Sequence, residues 1–217
     1  MIIWTRMLFF IVFIFLCLFA CQDQTKTPYW QKASLEKDHL YLVFRGTDSK
    51  EGFLARDFNI RDSLSSHVGF LVYERNDWYV YHVLDFKDNK SDLRKHGSSQ
   101  FFNPKNETIN YASVWELSHI DSSTLNQINK RIRYYESMII EFDRSFSLRD
   151  STKLYCSEFI YKVLKYADPN GFSLEPRTIK LSGVYNKYFR KDSLEYIPVD
   201  AFQYMKHVHL IDEWKFK

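Results

Sequence analysis

Cys156, in Leu154-Tyr155-Cys156-Ser157-Glu158-Phe159, joins the polar stretch Arg149 to Lys153 to an apolar-periodic segment that reads as a helix. A thiol at a helix start lies near unpaired backbone N–H groups and the positive end of the helix dipole, which favours thiolate. Thiolate is a nucleophile, and the same N–H groups can stabilise the oxyanion formed when it attacks a carbonyl. Such chemistry needs a base. His67, in Leu64-Ser65-Ser66-His67-Val68-Gly69-Phe70, opens an apolar strand, and Gly69 leaves space for a backbone or substrate to approach. Each residue also has a plain structural reading: free cysteines are commonly buried, and a histidine at a strand end can simply face solvent.

A base needs an orienting group. The runs Val68 to Tyr73 and Trp78 to Leu84 read as a hairpin with a four-residue loop over residues 74–77. That register sets His67 opposite Leu84 and puts His82 one step along the same face, where its imidazole can hold the first ring. A three-residue loop would instead bring Asp85 opposite His67, and an anion is the more ordinary orienting group. The remaining histidines beyond the N-terminal segment (His39, His96, His119, His207 and His209) lack such a setting. His207 and His209 share a strand face without a clear third ligand, so no metal site is expected.

Three cysteines occur in the chain, and the other two belong to the N-terminus. Arg6, an apolar run from Leu8 to Ala20, and Leu18-Phe19-Ala20-Cys21 together resemble a bacterial lipoprotein signal. Residues 1–20 are then expected to be removed and Cys21 lipidated. Residues 21–37 would tether a single domain, 38–217, to the membrane through lipid rather than a spanning helix. That implies a cell-envelope address, at the outer membrane or a periplasmic face, and leaves Cys156 as the free thiol of the mature chain. The 30 Lys and Arg against 27 Asp and Glu are interspersed, and no basic block points to nucleic acid. A hydrophobic content of 45% fits a packed globule.

The elements that must position these residues are legible in outline. His39–Phe44 and Val114–Leu117 read as strands beside the hairpin. Asp121 can cap a helix carrying Leu125, Ile128, Ile132, Tyr135, Ile139 and Phe142 on one face. A second helix is expected from Cys156 to Tyr166, stopped by Asp168-Pro169-Asn170-Gly171, with late strands at Tyr196–Val199 and Lys206–Ile211. Strands and helices in separate runs predict an α+β domain.

The segments Leu42-Val43-Phe44-Arg45, Ser66-His67-Val68-Gly69-Phe70, Tyr79-Val80-Tyr81-His82-Val83 and Leu154-Tyr155-Cys156-Ser157-Glu158-Phe159, in that order, resemble the YiiX-like group of permuted papain-like, NlpC-type cysteine peptidases. The resemblance implies a circularly permuted papain-like fold, an antiparallel sheet packed on helices with the catalytic cysteine at a helix start. The histidine precedes the cysteine, the reverse of ordinary papain-like order, and spatial adjacency is what such a site requires. The family's third catalytic position, commonly Glu in the nearest relatives, falls on His82. Tyr41 replaces the acidic residue of the family's first strand motif.

The expected activity is a cysteine hydrolase acting on an amide, with Cys156 as nucleophile, His67 as base and His82 as orienter, and without cofactor. An envelope address makes peptidoglycan stem peptides the natural substrate class. A lipid amidase or acyltransferase using the same site, and a non-catalytic binding module, are the competing readings.

Overall fold

A computed structural model describes residues 29–88 and 90–216. The expected signal segment 1–20 and Cys21, the expected lipidation site, lie outside the described residues. No helix among the described residues is long and apolar enough to cross a membrane. Contacts divide the chain into a unit ending at Lys32, described only as a short 3-10 turn at Tyr29–Lys32, and a unit from Ala33 onward. The second unit holds every element below.

Along the chain run β1 (Leu40–Thr47), α1 (Lys50–Asp57), β2 (His67–Glu74), β3 (Asp77–Val83), β4 (Leu93–Gly97), α2 (Ser98–Phe102), β5 (Ile109–Leu117) and α3 (Ser122–Glu136). The short strands β6 (Glu141–Phe142) and β7 (Lys153–Leu154) precede α4 (Cys156–Ala167). The hairpin strand β8 (Arg177–Lys180), α5 (Gly183–Phe189), β9 (Ser193–Tyr196), a 3-10 segment (Val199–Tyr204) and β10 (Val208–Lys215) complete it. Six strands form one sheet in the order β10-β5-β1-β2-β3-β4, every neighbouring pair antiparallel. This is the α+β architecture expected.

β1 sits mid-sheet and is buried throughout. Alternate residues Leu40, Leu42 and Phe44 join Phe70, Tyr81 and Val83 on one face, where Ile128 and Ile132 of α3 and Phe159, Ile160 and Val163 of α4 complete the main core. The opposite face carries Arg45, His67, Gly69 and His82, with Phe101 of α2 packed over them. A one-residue slip of β2 would exchange these faces, so burial on both sides fixes the register.

The β2–β3 hairpin keeps the expected register but closes more tightly. Glu74 pairs with Asp77, leaving only Arg75 and Asn76 as the turn, both at positive φ. Two successive positive φ angles define the turn that matches strand twist. Two- and four-residue loops centred here give the same facing pairs, so the assignment of faces is unaffected.

Helix α3 starts where expected, Asp121 accepting the Thr124 N–H at 2.7 Å. It ends at Glu136 rather than continuing to Phe142: the Met138 N–H tightens onto the Tyr135 carbonyl at 3.1 Å, and the Ile140 N–H leaves the helix for the Ser91 hydroxyl at 3.1 Å. Ile139, expected on its buried face, is 77% exposed. The late strand expected over Tyr196–Val199 is shifted: β9 ends at Tyr196, and Pro198 starts the 3-10 segment. Helices α1, α2 and α5 and strand β4 had no counterpart in the sequence reading.

Candidate active site

Cys156 is the first residue of α4, whose apolar positions Phe159, Ile160, Val163 and Leu164 pull the helix onto the sheet. The Glu158 side chain folds back to the Tyr155 N–H at 3.4 Å and pairs with Lys162 at 2.8 Å. Burial pushes the Glu158 carboxyl up to about 7, with Lys162 opposing. Tyr155 is a buried wedge whose hydroxyl accepts the Ile197 N–H at 2.9 Å. The Ser157 hydroxyl donates to the Ile197 carbonyl at 2.7 Å and also lies beside the Cys156 sulfur. Tyr155, Cys156 and Ser157 of this turn all line one cavity.

The Cys156 sulfur lies against the Val68 N–H at the start of β2 and against the N–H groups of Ser157 and of Cys156 itself. All of these favour thiolate, as the helix start predicts. Burial outweighs them and pushes the thiol up to about 11. The helix start thus contributes in the direction expected of it, but the net direction is the opposite, because the segments that bury the thiol are distant in sequence. At rest this is a neutral thiol.

His67 Nε2 is 2.8 Å from His82 Nδ1, with the rings edge to face at 5.0 Å. Both rings are buried. Burial, and after it Arg45 and His96, holds the His67 imidazole well below its usual range. His82 is lowered likewise, by burial first and then by His67 and Arg45. Asp85, the alternative partner, is instead bonded to Arg144 at 2.6 and 3.0 Å.

Arg45 stands opposite His67 in the β1–β2 ladder. It donates to the Phe101 carbonyl at 2.8 Å and to Glu107 at 3.1 Å, and its guanidinium lies 4.9 Å from the Phe101 ring centre. These contacts hold α2 over the histidine pair.

His67 and Cys156 line one cavity of 530 Å³, together with Arg45 and Ser157. Much of the rest of its wall is aromatic: Phe58, Phe142, Phe146, Tyr188, Phe189 and Tyr196, of which all but Tyr188 belong to a second small core. Asp143 shapes that wall by accepting the Ser145 N–H at 2.8 Å, the Ser145 hydroxyl at 2.6 Å and the Ser147 N–H.

His96, for which the sequence predicts no role, has its Nδ1 3.0 Å from His82 Nε2. It sits on β4, a strand whose charged residues Arg94 and Lys95 concealed it. His207 lies beside His119, ring centres 5.1 Å apart, and neither lines the cavity.

No family model matches the chain, and no curated protein matches it. Among solved structures, the chain is similar to that of the metalloprotein yiiX from Escherichia coli O157:H7, with a TM-score of 0.63 and 15% sequence identity over 83% of this chain and 99% of that one. The two share a fold.

Proposed function

We propose that this chain is an envelope-anchored cysteine hydrolase that cleaves an amide bond through a thioester on Cys156. The observation that carries the reading is the shared cavity: a buried thiol ringed by backbone N–H groups opens on the same space as His67, whose Nε2 is held by His82. Nδ1 of His67 then remains to take the Sγ proton as sulfur attacks the substrate carbonyl. The N–H groups of Cys156 and Ser157 receive the developing oxyanion. The imidazolium protonates the leaving amine, and water, activated by the neutral ring, releases the acid. A neutral thiol beside a neutral imidazole makes the proton transfer part of the attack rather than a prior ionisation.

The order of base strand before nucleophile helix, on a fold shared with yiiX, supports the permuted papain-like reading. The donors present do not fit a metal at this cavity. His82 meets its neighbours through opposite ring nitrogens at hydrogen-bond distance, so the three imidazoles do not converge on one point. Among the described residues the metal-capable group is Glu36, Asp38 and His39, which does not line the cavity.

Lipidation at Cys21 would place the site in the envelope, where peptidoglycan stem peptides present amides. The aromatic wall favours a second substrate class, the fatty amide of a lipid amidase or acyltransferase. Incubation with stem peptides and, separately, with N-acyl lipids, followed by mass analysis of the adduct on Cys156, separates the two. Cleavage by Cys156→Ala equal to that of the parent chain would refute the enzyme reading.

A further inference from the structure

Three imidazoles stand in series on three adjacent strands. His82 comes diagonally across the β2–β3 ladder from His67, and His96 diagonally across the β3–β4 ladder from His82, where Arg94 is the direct partner. The contacts are 2.8 Å and 3.0 Å. His67 and His82 are buried; His96 is half-buried, on the edge strand.

Each neutral imidazole carries one N–H, so the chain has two concerted arrangements. In one, His67 Nε2–H donates to His82 Nδ1, and His82 Nε2–H donates to His96 Nδ1. His67 Nδ1 then bears a lone pair and can act as a base. In the other, every N–H reverses and His67 Nδ1 carries a proton, which makes it useless as a base. The last ring decides between them: an Nδ1 on His96 that accepts selects the first arrangement, and one that donates selects the second.

We propose that His96 is a positioning residue that ends a three-imidazole relay, setting the base tautomer of His67 and drawing the charge of the His67 imidazolium outward. The inference rests on Cys156 and His67 being nucleophile and base. Sγ–H breaks and His67 Nδ1–H forms. His67 Nε2–H then breaks as His82 Nδ1–H forms, and His82 Nε2–H breaks as His96 Nδ1–H forms. The result is a thiolate, two neutral inner rings and an imidazolium at His96, with no atom or electron left over. The return of these protons regenerates the acid that His67 gives to the leaving amine.

The surroundings favour moving the charge. At His67 an imidazolium would be enclosed and opposite Arg45. Burial, and after it Arg94 (paired with Asp88 at 2.5 Å) and Arg45 (paired with Glu107), lower the His96 pKa too. But His96 is only half-buried where His67 is enclosed, so the charge is less disfavoured at His96. Beyond these, His96 packs on His82 and the Phe86 ring. Helix α2, which follows directly, has no charged residue.

The test is nitrogen NMR of the ¹⁵N-histidine-labelled protein at neutral pH, joined to the pH profile of the p-nitrophenolate burst released when p-nitrophenyl acetate acylates Cys156. The relay predicts Nε2–H tautomers for His67 and His82. It predicts that His96→Phe mixes them and slows the burst roughly 10²-fold, the lower range for a positioned acid–base group. His96→Gln, whose carbonyl oxygen can accept from His82 but whose amide takes up no proton, should restore the tautomers and only part of the rate. A parent chain with Nδ1–H on His67 overturns the relay even if no variant folds, and so does His96→Phe with unchanged tautomers and profile. Absence of any burst in the parent chain would instead refute the hydrolase reading, and the tautomer spectrum would still judge the relay.

Discussion

Gly69 and His82 face each other across β2 and β3 with no room for a side chain between them. A Cβ on residue 69 would lie 3.1 Å from His82 Cβ, 2.6 Å from Val80 Cγ1 and 3.0 Å from the Tyr81 carbonyl oxygen. The space that Gly69 leaves is thus filled by the histidine that holds His67. Gly69→Ala is expected to cost about 1–3 kcal/mol, as overpacking does, and to displace His82. Urea unfolding measures the first effect. The acyl burst should fall further than the lost stability accounts for, and an unchanged burst in the folded variant would contradict that account.

Arg45 is among the groups that hold His67 neutral. Its replacement removes a positive charge, so the folded His67 pKa rises. Because only neutral His67 accepts the Cys156 proton, the acid limb of the burst–pH profile should move to higher pH in Arg45→Gln. A limb that stays in place or moves down would show that Arg45 does not act on the base.

Cys156, pushed up to about 11, is roughly one part in 10³ thiolate at pH 8, where a thiol of pKa near 8.5 is about one quarter ionised. Iodoacetamide should therefore alkylate the native protein on the order of 10²-fold more slowly than the urea-unfolded chain, and the native rate should climb towards pH 11. Stability has the matching sign. Between about 9 and 11 the unfolded chain has lost this proton and the folded chain has kept it, so stability falls as pH rises. Cys156→Ala should flatten that alkaline slope.

Asp200 is fully buried and accepts the N–H groups of Ile60, Arg61 and Asp62 at 2.8–3.0 Å. The loop so fixed leads directly into Ser65, Ser66 and His67. Asp200→Ala orphans three backbone donors and is expected to destabilise the protein by about 3–5 kcal/mol. Asp200→Asn, with one oxygen left to accept, should recover part of it. Urea midpoints for the two variants decide.

The sequence carried the pairing of His67 with His82 because strand periodicity and a turn between them suffice to say which residues share a face. It did not carry His96. Strand β4 is five residues with Arg94 and Lys95 at its centre, and its apolar alternation is too short to stand out; only the packing of Phe86 and Phe101 around the rings reveals that this edge is covered. The helix start at Cys156 was legible from the break between Lys153 and Phe159, whereas the raised thiol was not, since burial depends on β2 and the distant Ile197 segment meeting at that turn. Ile139 misled for a related reason: its spacing continued the α3 stripe, but the chain leaves the helix at Ser137 before reaching it.

Acylation of Cys156 with His67 as base is read by stopped-flow release of p-nitrophenolate from p-nitrophenyl acetate, together with the intact mass of the quenched protein. A Cys156 nucleophile with His67 as base gives a burst approaching one equivalent per chain, an acetyl group mapped to Cys156, and a burst rate reduced on the order of 10²-fold or more in His67→Ala. No acetyl group on Cys156, or an equal burst rate in His67→Ala, would contradict it.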